Sequence, residues 1–246
     1  MEFITAKIAG IVIGIGVNFH YTKNLFKDFI CEEKEVQFMV QCTIEDYERA
    51  GVRYEKRYHC DPPSDIYLEE YAIFEKIYEK FIEYGIITFH GAALAINNQV
   101  FIFSGPSKIG KTTHINKWIE NIPGTFIVNG DKPFIRTGEL PIVCGSPWSG
   151  KEHQYSNSML PLKAIIVMER SEDNHIEQMA FKDAFPFLIQ QTFRPESPER
   201  LRKTLEMLRS IGQTTLFYRF QCNNLKGNCL NVVYNALLND INVYSD

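Results

Sequence analysis

The sequence of 246 residues lacks several features that would point to particular classes of protein. Its six cysteines form no C-x-x-C pair, and no Cys/His spacing suggests zinc, so we expect reduced thiols and a cytoplasmic protein. No block of lysine and arginine stands out and the formal net charge is -4, so we expect no nucleic-acid partner. The apolar run at residues 8–19 is too short to span a membrane and lacks a signal-peptide cleavage pattern. We therefore expect no membrane partner.

What remains is the composition of an ordinary globular protein, with 45% hydrophobic and 23% charged residues. This length suits one large domain, or a medium-sized domain with a small one. Apolar runs rich in Val, Ile and Phe predict a small β-rich N-terminal domain at residues 1–62. Alternating helix and strand patterns predict an α/β domain at residues 63–246.

The second domain begins with a pattern typical of a helix, at residues 61–85. Ser64 or Asp65 is suited to cap its first turn, and aromatic residues recur at helical spacing on one apolar face. Gly85 suits the left-handed position at its end.

Two apolar runs follow, at residues 88–96 and 99–104, joined by Asn97-Asn98. Asparagine tolerates positive φ, so this pattern predicts an antiparallel hairpin. The run at residues 162–170 is continuously apolar and predicts a central buried strand.

Two helices are predicted further along the chain. Asp183 as cap would place Pro186 in the first turn of one helix, where proline is tolerated. Ser197 caps the other, which Gly212 is expected to end.

The most specific motif is at residues 105–112, where G-P-S-K-I-G-K-T fits the phosphate-loop pattern G-x-x-x-x-G-K-[ST]. It lies between an apolar strand and a helix, whose N-terminus favours anions. Lys111 is expected to reach the β- and γ-phosphates and the Thr112 hydroxyl to hold Mg²⁺, so we expect ATP and Mg²⁺ as ligands. The expected cofactor-binding residues are Gly105, Ser107, Lys108, Ile109, Gly110, Lys111, Thr112 and Thr113.

Lys108 and Ile109 occupy loop positions where small residues are common. The Lys108 charge either helps to hold phosphates or is a solvated side chain. The alternative to the whole motif is a glycine-rich turn with a chance Gly-Lys-Thr.

The sequence FHGAALAINNQVFIFSGPSKIGKTTHINKW, followed by FIVNGDKPFIR, resembles the catalytic domain of HPr kinase/phosphorylase. It resembles equally the wider group of HPr-kinase-like enzymes found in peptide-modifying gene clusters, and ATP-dependent phosphoenolpyruvate carboxykinase is a more distant relative. The resemblance covers residues 86–170. It implies a mixed β-sheet P-loop kinase domain that transfers the γ-phosphate of ATP to a hydroxyl, a serine of a peptide or small protein.

The resemblance also implies roles for individual residues. Where HPr kinases carry two adjacent aspartates, this chain has Gly130-Asp131, so only Asp131 carries over, as catalytic base or as metal partner beside Thr112. His90 would orient a phosphate oxygen or the acidic base, and Lys111 completes the catalytic set. The alternatives are that Asp131 is a turn residue of N-G-D-K-P and that His90 is an ordinary histidine at a strand start.

Other features leave the function open. The aperiodic loop at residues 144–157 carries an exposed-looking Trp148 and suits substrate contacts. Arg194 is expected either to approach the transferred phosphate or to form a surface ion pair. Glu169, at the end of AIIVME, keeps an ordinary P-loop NTPase as an alternative. A second alternative is a nucleotide-binding regulatory or assembly module without phosphotransfer, and the sequence allows a homo-oligomer.

Overall fold

The computed structural model describes residues 1–223 and 226–242, and within these ranges the chain is a mixed α/β protein. The strands are β1 (Glu2–Ile8), β2 (Ile11–Val17), β3 (Phe38–Val40), β4 (Ile86–Thr88), β5 (Ala92–Ile96), β6 (Gln99–Ser104), β7 (Phe126–Asn129), β8 (Phe134–Arg136), β9 (Ile142–Cys144), β10 (Met159–Arg170), β11 (His175–Gln178) and β12 (Leu216–Cys222). The helices are α1 (His20–Leu25), α2 (Ile44–Tyr58), α3 (Asp65–Phe81), α4 (Lys111–Asn121), α5 (Phe181–Gln191), α6 (Pro198–Thr214) and α7 (Cys229–Asn242). None of the helices in these ranges has the length and apolar character needed to cross a bilayer.

The strands form two sheets, one of three strands in the order β1-β2-β3 and one of nine mixed strands. In the larger sheet β6 lies between β5, which runs antiparallel to it, and β10, which runs parallel. Asn97 and Asn98 form the turn between β5 and β6 with φ of 50° and 58°. The predicted hairpin and mixed sheet are therefore confirmed, although the first arm begins at Ala92, and residues 86–88 pair instead with β8.

Strand β10 is the centre of the larger sheet, as its continuous apolar run predicts. It pairs in parallel with both β6 and β12, and its first residues pair antiparallel with β9. Ala164–Met168 are all buried there. β-Branched residues such as Ile165 and Ile166 suit a strand that is covered on both faces.

The N-terminal residues are only partly β-rich. The three-stranded sheet is present, but residues 44–58 form helix α2, which the sequence patterns did not predict. Thr43 caps this helix in a capping box with Asp46, so the Thr-x-x-Asp spacing was the local signal that identifies it. The domain boundary at residue 62 stays a prediction.

The small sheet does not have a core of its own. Ile13 and Ile15 of β2 belong to one buried apolar cluster with Phe74 and Phe81 of α3. Helix α3 thus joins the N-terminal sheet to the strands that carry the candidate site. Ser64 occupies the predicted N-cap position, although its side chain makes no capping hydrogen bond. Gly85 is left-handed as predicted, with φ of 71°, and ends a 3-10 turn (Ile82–Tyr84) that follows α3.

Two predicted helix boundaries are wrong. Helix α5 begins at Phe181 with Ala180 as N-cap, so Asp183 is not the cap and Pro186 lies inside the helix. Ser197 does cap α6, where its hydroxyl accepts a bond from the Arg200 N–H. Gly212, however, does not end α6. A Cβ at Gly212 would lie 2.4 Å from the Phe181 ring, so close helix packing and not chain termination accounts for the glycine.

Candidate functional site

The phosphate-loop motif forms the connection between β6 and α4, as its context predicts. Gly110 is the N-cap of α4 with φ of 107°, a conformation that favours glycine. Gly105 passes close to β10, and a Cβ there would lie 2.8 Å from the Met168 carbonyl oxygen. The backbone geometry therefore explains why both of these motif positions are glycine.

Lys108 also adopts a left-handed conformation, with φ of 63°. A side chain in this region costs about 1–2 kcal/mol relative to glycine, since its Cβ approaches the following carbonyl. Arg170 at the end of β10 donates a 2.9 Å hydrogen bond to the Lys108 carbonyl and supports the loop there. The lysine that departs from the usual small residue thus sits at a strained position.

Lys111, the first residue of α4, folds back over the loop. Its Nζ donates to the Gly105 carbonyl at 3.0 Å and to the Pro106 carbonyl at 3.4 Å. Burial lowers the pKa of Lys111, and the negative charge of Asp131 acts in the opposite direction. Within the described residues Lys111 forms no ion pair, so the ammonium remains able to bind an anion.

Asp131 follows β7 in a turn that another side chain stabilises. The Asn129 Oδ1 accepts from the backbone N–H groups of Asp131 and Lys132 at 2.9 and 2.7 Å. The turn hydrogen bonds therefore come from Asn129. The Asp131 carboxylate accepts neither of these bonds, which weighs against the interpretation that this aspartate is only a turn residue.

The Asp131 carboxylate contacts two cationic or titratable side chains. Lys132 Nζ lies 2.8 Å from one oxygen and His90 Nε2 lies 3.5 Å from the other. The other His90 nitrogen, Nδ1, lies 2.8 Å from Gln191 Oε1 at the end of α5. Since a carbonyl oxygen only accepts, Nδ1 carries a proton and the ring is fixed with Nε2 facing Asp131.

These contacts shift the pKa of Asp131. Burial acts to raise it, but the His90 hydrogen bond and the Lys132 charge together outweigh burial and hold the pKa well below its usual range. The group is thus an anion that binds protons weakly. Such a carboxylate is better suited to holding a cation or orienting His90 than to accepting a proton.

The loop after β9 packs directly on this turn. A Cβ at Gly130 would lie 2.9 Å from the Ser149 carbonyl oxygen, and one at Gly150, where φ is 80°, would lie 3.0 Å from the Asp131 Cβ. The expectation of an exposed Trp148 is wrong. Its ring is only 4% exposed and packs against Phe74 with ring centres 4.9 Å apart, so it belongs to the core.

A cavity of about 910 Å³ brings the sequence-predicted residues together. The predicted residues that line it are His90, Ser107, Lys108, Lys111, Thr112 and Asp131. Gly105, Ile109, Gly110 and Thr113 do not line it: the glycines shape the loop, Ile109 packs against the core beside Ile115, and Thr113 is exposed. Arg194 and the 148–154 part of the long loop line the cavity as well.

Further residues of the cavity were not singled out from the sequence. Lys132 and Gln191 belong to the Asp131 and His90 contacts described above. The cavity is also lined by aromatic residues, Tyr67, Tyr71 and Phe74 of α3 and Tyr54 of α2. Lys132 follows Asp131 directly in the sequence and could have been noticed, whereas the aromatic stripe on α3 looks the same whether it faces a core or a cavity.

Glu169, the candidate acid of an ordinary P-loop NTPase, lies elsewhere. It is exposed near the end of β10, pairs with Arg219 at 3.4 Å, and is not among the residues that line the cavity. This placement does not favour that alternative.

The sequence matches no protein-family profile, and no curated protein is significantly similar to it. Among solved structures, the chain is similar to the Hpr(Ser) kinase/phosphatase from Coxiella burnetii, at 13% sequence identity. The match covers 64% of this chain and 94% of that chain, with a TM-score of 0.41.

Proposed function

We propose that this protein is a kinase of the HPr kinase type, which transfers the γ-phosphate of ATP to a hydroxyl with Mg²⁺ as cofactor. The acceptor we propose is a serine of a peptide or small protein. The observation that carries the proposal is the convergence on one cavity of the phosphate loop, Lys111, Thr112 and the His90–Asp131 pair, which come from separate parts of the chain.

The side chains fit a triphosphate and its metal ion. Lys111 forms no ion pair within the described residues, and it would exchange its carbonyl contacts for phosphate oxygens. The N-terminus of α4 and the loop amides add partial positive charge. Thr112 offers a hydroxyl and Asp131 a carboxylate, both of them oxygen ligands that Mg²⁺ prefers.

When bound, Mg²⁺-ATP supplies the phosphoryl group and neutralises its developing charge. The acceptor oxygen forms a bond to the γ-phosphorus, the bond to the β–γ bridging oxygen breaks, and the hydroxyl proton leaves to a base. Asp131 either takes this proton or organises the metal. Its lowered pKa favours the second role, with positioning and charge supplying most of the rate.

The same lowered pKa also supports the second candidate function. A nucleotide-binding module that regulates or assembles a partner needs the phosphate loop and Lys111 but no strong base. The two functions differ in whether labelled phosphate leaves ATP for an acceptor.

The test is incubation with γ-labelled ATP and Mg²⁺, with and without a mixture of serine-containing peptides, alongside measurement of ATP affinity. Lys111→Ala should weaken ATP binding by about 10- to 100-fold, since a charge-assisted hydrogen bond is worth about 1.5–3 kcal/mol. Lys182→Ala, which removes an exposed lysine of α5, is the matched control. Unaltered ATP binding in Lys111→Ala would overturn the site. ATP binding without transfer to any acceptor would favour the binding module.

A further inference from the structure

A second cluster of reactive side chains lies outside the cavity, between β12, α4 and α7. The sulfur of Cys222, the last residue of β12, lies 3.6 Å from that of Cys229, the first residue of α7. His114 Nδ1 on α4 lies 3.4 Å from the Cys229 sulfur. Cys222 is 6% exposed, and Cys229 and His114 are fully buried. All three side chains are therefore buried.

A tryptophan fixes which nitrogen of His114 carries the proton. The Trp118 Nε1–H donates to His114 Nε2 at 3.0 Å, and an indole nitrogen is a donor only. His114 Nε2 must therefore accept, and the proton of the neutral ring is on Nδ1, facing the Cys229 sulfur. Cys229 is also the first residue of a helix, where the backbone dipole stabilises a negative charge.

The same tautomer argues against a metal ion. His114, Cys222 and Cys229 offer three ligand atoms within 4.8 Å of one another. A metal needs the lone pair of a histidine nitrogen, but the nitrogen that faces the sulfurs bears a hydrogen. The geometry suits a thiolate that accepts an N–H bond.

We propose that Cys222 and Cys229 form a redox-active dithiol that hydrogen peroxide oxidises to an intramolecular disulfide. The Cys229 thiolate attacks one peroxide oxygen, the O–O bond breaks, and hydroxide leaves, which gives a sulfenic acid at Cys229. The Cys222 sulfur then attacks the Cys229 sulfur and displaces a second hydroxide. The two thiol protons convert the two hydroxides to water, so two electrons pass from the dithiol to one peroxide.

The charges around the pair support these separate roles. The Cys222 hydrogen bond lowers the pKa of Cys229 against the effect of burial, and the His114 hydrogen bond acts in the same direction. The Cys222 hydrogen bond with Cys229 raises the pKa of Cys222. The titratable groups that face Cys229 are Cys222 of β12 and His114 and Lys117 of α4. Elsewhere, burial raises the pKa values of Cys42 and Cys144 to about 12, so those thiols stay protonated.

The test uses hydrogen peroxide and the full chain with Cys31→Ser and Cys60→Ser, which leaves Cys42 and Cys144, whose pKa values burial raises, as the other two cysteines. A low-pKa thiolate is also a weaker nucleophile, so the pH profile is more informative than the rate at one pH. Because the His114 N–H and the N-terminus of α7 favour the Cys229 thiolate, its oxidation should slow less between about pH 7.5 and pH 6 than that of an ordinary thiol such as N-acetylcysteine, which slows about tenfold per pH unit. Mass spectrometry should find one cross-linked peptide pair, Cys222 with Cys229, which dithiothreitol separates.

Two variants test the separate roles of the Cys222 and Cys229 sulfur atoms. Cys222→Ser should leave a sulfenic acid on Cys229 that dimedone traps, and Cys229→Ser should abolish the shallow pH profile. Circular dichroism checks that both variants fold. If either variant fails to fold, the cross-link and the pH profile of the protein that keeps both Cys222 and Cys229 still test the proposal. Absence of the Cys222–Cys229 cross-link, or stoichiometric zinc in the purified protein that is lost in Cys229→Ser, would overturn the proposal.

Discussion

Asp131→Asn should lower the free energy of unfolding by about 1.5–3 kcal/mol near neutral pH, the range for a charge-assisted hydrogen bond. The carboxylate lies 2.8 Å from Lys132 Nζ and 3.5 Å from His90 Nε2. Asparagine keeps one acceptor oxygen but lacks the negative charge that attracts Lys132 and a protonated His90. Because the Asp131 side chain is 26% exposed, solvent screens the pair and we expect the lower half of the range.

The pH dependence of this difference has a definite sign. The pKa of Asp131 in the folded protein lies below that of an unfolded aspartate, which is about 3.9. The stability from ionised Asp131 is therefore fully present above the unfolded pKa, and is lost as the pH falls through the folded pKa. Urea unfolding of both proteins should give a difference that shrinks as the pH falls below about 4.

The same variant tests the site. Asn at position 131 should leave the affinity for ATP in the absence of Mg²⁺ near that of the wild type, while phosphotransfer falls roughly 100-fold or more. The matched control is Asp61→Asn, at an exposed aspartate outside the cavity, which should change neither quantity. Unchanged stability together with unchanged transfer would refute the assignment, since Asn129 already holds the turn.

Three further substitutions test the packing around the site. Tyr47→Phe removes the 3.0 Å hydrogen bond to buried Glu69 and should cost about 1 kcal/mol in urea unfolding, so an unchanged midpoint would contradict that bond. Gly212→Ala should cost about 1–3 kcal/mol in the same measurement, because the new methyl meets the Phe181 ring at 2.4 Å, and full stability would mean that the helices separate freely. Gly110→Ala should weaken ATP binding in calorimetry, since alanine at φ of 107° is strained by about 1–3 kcal/mol. Equal affinity would show that the loop adapts.

The parts of the fold that local chemistry specifies were predicted correctly. Asn97-Asn98 encodes its turn by tolerance of positive φ, and the continuous apolar run of β10 is typical of a strand covered on both faces. Helix α2 was missed because its apolar residues are few, and only its capping box marks it. Pro186 was placed in a first turn because proline inside a helix is unfavourable, a cost that the packed helix α5 tolerates.

The candidate site was likewise predicted only in part. The phosphate-loop motif is recognisable from its own residues, and His90 and Asp131 were predicted from the resemblance. The contact of His90 with Gln191 depends on residues that are about a hundred positions apart, so no local pattern contains it. Trp148 was predicted to be exposed because its loop has no periodicity, but α3 provides the apolar surface that covers it.

The pairing of β10 also has a consequence for the order in which a nascent chain acquires structure. The hairpin of β5 and β6 needs only residues 92–104 and is complete early in synthesis. The second neighbour of β6 arrives with residues 162–167, and β10 in turn gains its far partner only when residues 216–222 have left the ribosome. Until then an edge of unpaired N–H and C=O groups next to the phosphate loop is open to other chains. Strand β6, which leads into the phosphate-loop motif, thus has an open edge until residues 162–167 are made, and β10 has one until residues 216–222 follow.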